Sequence, residues 1–291
     1  MAEKRKFYGM RNDYMFHAVL QKNEEVLRNL LATLLEIDEA EIESCHIENP
    51  IELGKEIEGK ECILDVKLTL NNDKVINIEL QVYKQTYWIN RSLLYWARTY
   101  DNLKSGQDYS MLLPAYHIGI LDFTLFENHP KFMAQYQILD VDDGYLYSDK
   151  LCIKVLDLTQ LERAKQESET NKKLLKWAGI FKAETLEELE QLASGEEVFE
   201  NMVVTMKKLS EDEKIRMQCE AREDYERSLL TEYNAGKSEG IASERRNTEK
   251  ERQRAEKESQ RAEKESQRAE KESQRADALA AEVERLRALL K

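Results

Sequence analysis

Proline is nearly absent from this 291-residue chain: three residues, beside ten glycines. In a sequence rich in Glu, Lys and Leu, so few breakers predict a helix-rich protein. The four cysteines, Cys45, Cys62, Cys152 and Cys219, are scattered and form no CxxC pair. That spacing argues against a disulfide framework or a cysteine-held zinc, and it points to a reducing cytoplasm. No run of 18 apolar residues occurs, so no membrane partner is expected. The basic start, Met1 to Lys6, is not followed by an apolar stretch, so no secretory signal is expected either. A phosphate-cradling G-x-x-x-x-G-K-[ST] loop and a G-x-S-x-G elbow are both missing. His17, His46, His117 and His129 show no HExxH or similar ligand spacing and read as structural residues.

Charge, in contrast, is plentiful at 35% of residues, with 44 basic against 57 acidic and a net charge of −13. It is unevenly spread. Residues 244–291 hold 14 basic and 12 acidic residues, which leaves residues 1–243 with 30 against 45. An acidic body argues against broad, non-specific adhesion to nucleic acid, since phosphate contacts supply most of that affinity.

Residues 12–35 carry Met15, Val19, Val26, Leu30 and Leu34 at helical spacing, with Asn12 or Asp13 as N-cap. A short strand is expected within 41–51 and a polar loop over 53–61. Helix is expected over 85–104, strands around 117–123 and 151–157, and helices from 159 to 232 with a break near 193–195. Strands interleaved with helices, followed by helices alone, predict an α/β core with a helical extension. The boundaries read as a core over 1–160, a helical extension over 161–245 and a charged tail over 246–291. In that tail Gln253–Ser259, Gln260–Ser266 and Gln267–Ser273 are identical Gln-Arg-Ala-Glu-Lys-Glu-Ser heptads. With Ala255, Ala262, Ala269, Ala276, Val283 and Leu290 at position a, position d holds Glu258, Glu265, Glu272, Leu279 and Leu286. The seam is apolar only at its end, so the tail reads as a solvated helix, either a charged spacer or one whose last two heptads can pair into a homo-oligomer.

The informative segment is a pair of strand-like runs, 62–70 and 75–83, joined by the turn-forming Asn71-Asn72-Asp73-Lys74. In the first run Leu64, Val66, Leu68 and Leu70 share one face, while Asp65, Lys67 and Thr69 share the other. In the second, Ile76, Ile78, Leu80 and Val82 oppose Asn77, Glu79, Gln81 and Tyr83. A hairpin must align the two apolar faces. Asp65 then lies across from either Glu79 or Gln81, and two carboxylates, an amide and Lys67 converge on one sheet face. Two carboxylates at strand spacing can hold Mg²⁺, which takes oxygen ligands and retains several waters.

Asp65, a turn, then Glu79-x-Gln81 resembles the PD-(D/E)XK nuclease motif in the form where Gln replaces Lys. Taken with Asn12–Phe16, Ile63–Val66, Asn77–Gln81, Arg91–Trp96, Tyr116–Phe123, Lys176-Trp177 and Gly236-x-x-x-Gly240, the chain resembles the PD-(D/E)XK nuclease family transposases, or recombination-promoting nucleases, over roughly residues 8–245. The resemblance implies a restriction-endonuclease-like mixed sheet flanked by helices, and Mg²⁺-dependent DNA cleavage with Mn²⁺ as an alternative ion. Asp65 and Glu79 would be metal ligands, and Gln81 would take the catalytic Lys position. Two departures stand out: Leu64, not Pro, precedes Asp65, and Gln81 carries no charge. Asp13 is either an N-cap or a further acid of the site.

Arg91, Tyr95 and Arg98 fall at i, i+4 and i+7 of the helix after the hairpin. Residues 84–104 hold Lys84, Arg91, Arg98 and Lys104 against Asp101 alone, the most cationic stretch of the acidic body. These side chains are the expected DNA contacts, or else partners of the acidic helices. The sequence therefore leads to a metal-dependent endonuclease. A catalytically weak DNA-binding relative and an assembly protein working through its tail are the alternatives.

Overall fold

The computed structural model describes residues 6–51, 53, 65–167 and 170–289. Two helices open the chain, α1 (Asp13–Lys22) and α2 (Glu24–Leu35), where one was expected. The break is at Asn23, whose backbone is extended and whose side chain accepts from Val26 N to cap α2. Asparagine is a good cap and a poor helix-interior residue, so it divides an otherwise continuous apolar stripe. Asn12, not Asp13, is the N-cap of α1, accepting from Met15 N.

The sheet has strands β1 (Cys45–Ile47), β2 (Val66–Leu70), β3 (Lys74–Gln81), β4 (Ala115–Leu121), β5 (Met133–Leu139) and β6 (Leu146–Asp157), in the order β1-β2-β3-β4-β6-β5. β2 runs antiparallel to both of its neighbours, β1 and β3; β3, β4 and β6 run parallel, and β5 returns antiparallel on the far edge. The β2–β3 hairpin turns at Asn71 and Asn72, both left-handed at φ 50° and 55°, the two conformations that a type I′ turn requires. The expected strand residues Cys62, Ile63 and Leu64, and most of the expected 53–61 loop, lie outside the described residues.

Helix α3 (Trp88–Tyr100) crosses from β3 to β4, shorter at both ends than expected. After β6 come α4 (Leu161–Ala164), α5 (Lys172–Lys182), α6 (Leu186–Ala193), α7 (Glu197–Glu211) and α8 (Glu213–Leu289). Gly195, at φ 84°, sits between α6 and α7 where the break was expected.

One sheet face, with Val66, Leu68, Ile76, Ile78, Ile118 and Ile120, packs against α1, α2, α5 and α7. Trp177 and Phe181 of α5 and Phe199 of α7 fill that layer, and Ile215 and Cys219 bring in the start of α8. The other face carries a smaller cluster in which Trp88 of α3 meets Leu121, Ile153 and Val155. The chain divides into two compact units, Met1–Arg227 and Ser228–Lys291. The second is helix from Ser228 to Leu289, with Leu279 and Val283 exposed. The expected seam residue Leu290 lies outside the described residues. No helix among the described residues is long and apolar enough to cross a membrane.

Candidate active site

The hairpin register settles which residue faces Asp65. Val66 pairs with Ile78 and Lys67 with Asn77, so one further step sets Asp65 against Glu79. Both carboxylates lie on the sheet face away from the large core, and both are buried, at 6% and 2% exposure. Burial, and next the charge of Glu79, push the Asp65 carboxyl up to about 7, while the Asn77 hydrogen bond and Arg91 pull the other way.

The parallel neighbour β4 adds a residue that spacing did not single out. Asn77 is opposite His117, and Glu79 is opposite Gly119. The Asn77 amide nitrogen donates to Asp65 Oδ2 at 3.2 Å and lies 3.2 Å from His117 Nδ1. An amide nitrogen has two hydrogens, enough for both partners. His117 Nε2 stands 3.4 Å from Glu79 Oε2. His117 was expected to be structural. It is fully buried within the acidic cluster, and its place follows from the β3–β4 register, which no local pattern reveals.

Helix α3 closes the site. Arg91 Nη2 is 3.0 Å from Glu79 Oε1. The Arg91 guanidinium also lies 5.0 Å from the Tyr95 ring centre and donates to Gln85 Oε1 at 3.3 Å. Tyr95 meets the His117 ring edge-on at 6.2 Å. Its phenol is raised from the ordinary tyrosine value, by burial first. Of the expected DNA contacts, Arg91 and Tyr95 therefore join the acids, while Arg98 is exposed on the same helix with no ion pair among the described residues. Gln81 follows Glu79 on the same face, half-buried, with its backbone carbonyl accepting from Asp122 N.

Two other expected members stand apart. Lys67 pairs with Glu48 at 3.0 Å. Asp13 is held by Arg222 of α8, whose Nε lies 3.0 Å from both of its carboxylate oxygens, yet its charge still contributes to the rise at Asp65. Among the described residues no group of three or more His, Cys, Asp or Glu is arranged to hold a metal. Among the described residues, the two-carboxylate pair is what would meet an ion here. It does fit one. Among the described residues neither Glu79 oxygen receives a hydrogen bond of good geometry, although both are buried, and its negative charge raises Asp65. Such an arrangement suits a hard divalent cation that takes few protein oxygens and keeps its waters.

No curated protein and no solved structure matched the chain. A family model did, over residues 10–235, a span that takes in the hairpin, β4, α3 and the helices behind the sheet. With the mixed sheet and the opposed Asp65–Glu79 pair, that match establishes that the chain belongs to the PD-(D/E)XK nuclease family transposases.

Proposed function

We propose that this chain is a metal-dependent DNA endonuclease that hydrolyses phosphodiester bonds during recombination, or during the movement or defence of genetic elements. The observation that carries the reading is the register-opposed, buried pair Asp65 and Glu79 on one sheet face. Asp65 and Glu79 would hold Mg²⁺, or Mn²⁺ in its place, with water completing the shell. When bound, such an ion lowers the pKa of its water and offsets charge on the phosphate.

The chain's own residues do the rest. Asn77 holds Asp65 and His117 together, which fixes both side chains before substrate arrives. Gln81, uncharged, can donate and accept hydrogen bonds and so orient a water on the Glu79 face. It cannot offset phosphorane charge as a lysine would, so that task falls to cations nearby. Arg91, Tyr95 and Arg98 of α3 supply the phosphate-facing side chains, with Arg98 already exposed. In this reading the protein works in the cytoplasm, and the terminal heptads associate copies of the chain.

The test is nicking of supercoiled plasmid in Mg²⁺ by the full chain and by Asp65→Ala. The expected loss is at least about a hundredfold, as for removal of a group that acts in the transition state. Equal cleavage by both proteins rejects the assignment. A second reading, a DNA-binding relative with little catalysis, is favoured by the deep burial of both acids and by Gln81. Calorimetry separates the two: no Mg²⁺ or Mn²⁺ uptake, together with retained DNA affinity, selects the second.

A further inference from the structure

Glu79 is buried to 2%, and among the described residues the Lys or Arg side chain that touches it is the Arg91 guanidinium, at 3.0 Å. His117, its other neighbour, is wholly buried, whereas Arg91 is 26% exposed. Arg91 is therefore the group through which Glu79 meets the surface. Its position follows from packing. Gly119, the register partner of Glu79, has no side chain, and a Cβ there would lie 2.4 Å from Trp88 Cζ2. The Trp88 ring occupies that space and pins the first turn of α3 beside Glu79. Arg91, three residues on, is delivered to the carboxylate.

We infer that Arg91 is a resident counter-ion that occupies the charge position on Glu79 in the metal-free chain and must leave it when a divalent cation binds. The inference rests on the metal-site reading above. A buried carboxylate needs a positive partner, and among the described residues Glu79 accepts no hydrogen bond that would substitute for one. A guanidinium and a divalent cation compete for the same oxygens. Arg91 has somewhere to go. Gln85, through Nη1, and the face of Tyr95 already hold it by contacts that do not involve Glu79. Partial exposure then makes the released guanidinium available to a phosphate. The same side chain would offset the charge of Glu79 and, once displaced, help to hold DNA. Cation binding and DNA binding would be coupled through it.

The experiment titrates Mn²⁺ into the full-length protein by calorimetry, comparing wild type, Arg91→Gln and Asp65→Asn. Arg91→Gln is expected to bind Mn²⁺ at least about tenfold more tightly than wild type, and Asp65→Asn to lose binding. If Arg91→Gln binds equally or more weakly while Asp65→Asn still abolishes uptake, the metal site stands and the counter-ion inference falls. If neither wild type nor Arg91→Gln takes up Mn²⁺, the metal-site reading fails and takes this inference with it. A second measurement needs no destabilising variant: the guanidinium ¹⁵N signal of Arg91 in wild type, assigned by its loss in Arg91→Lys. Saturating Mg²⁺ should shift it and speed its rotation as the ion pair breaks. A signal unchanged in metal-saturated protein overturns the inference.

Discussion

Asp65 holds its proton to about pH 7, chiefly because it is buried and secondly because Glu79 is beside it. In the unfolded chain it would lose that proton near pH 4. The folded state thus binds an extra proton between those values. That contribution to stability is complete below about pH 4 and is lost as pH rises through about 7. Glu226, also raised to about 7 by burial and then by Asp13, acts in the same sense. In EDTA the melting temperature should fall by several degrees from pH 5 to pH 8, with a shallower fall in Asp65→Asn. Excess Mg²⁺ at pH 8 should recover part of the loss. A melting temperature flat in pH for wild type would contradict the burial of these acids. Asp65 and Glu79 were legible in sequence because alternation fixes a strand's two faces, and a hairpin leaves only two registers to choose between. His117 and the Arg91 contact were not, because each depends on a segment 12 or more positions away.

At the level of elements, the seating of α3 depends on one absent methyl group. Gly119 has an ordinary backbone, so its requirement is steric. Gly119→Ala forces the buried Trp88 ring aside, and overpacking of this kind costs about 1–3 kcal/mol. Urea unfolding should show that loss, and an unchanged midpoint would mean that the ring does not depend on the space. Strand β5 illustrates what local pattern misses. Met133–Leu139 lies on the sheet edge with only Ala134 fully buried, so its apolar residues do not alternate cleanly. The split between α1 and α2 escaped for a related reason: Leu20 and Val26 keep the helical stripe going across Asn23, and the break is visible only in the capping bond.

For the molecule as a whole, the family model stops at residue 235, ahead of the heptads. Residues 228–289 are helical and their described side chains are exposed. Within the three repeats Ala faces Glu across the seam positions, a weak interface for self-association. The apolar Leu279 and Val283 are exposed beyond the repeats, and the proposed association would rest on them. Deleting residues 246–291 should reduce the particle mass in light scattering to that of one chain while leaving plasmid nicking in place. An unchanged number of chains per particle would make the tail a spacer. The site itself has an architecture in sequence distance. Asn77 bonds to Asp65, 12 positions back, and meets His117, 40 positions ahead. Closing the shorter loop needs only the asparagine turn, whereas the longer one needs α3 in place first. During folding, the chain is therefore expected to bring its two carboxylates together early and to acquire His117 late. Salt or acid should speed that early step.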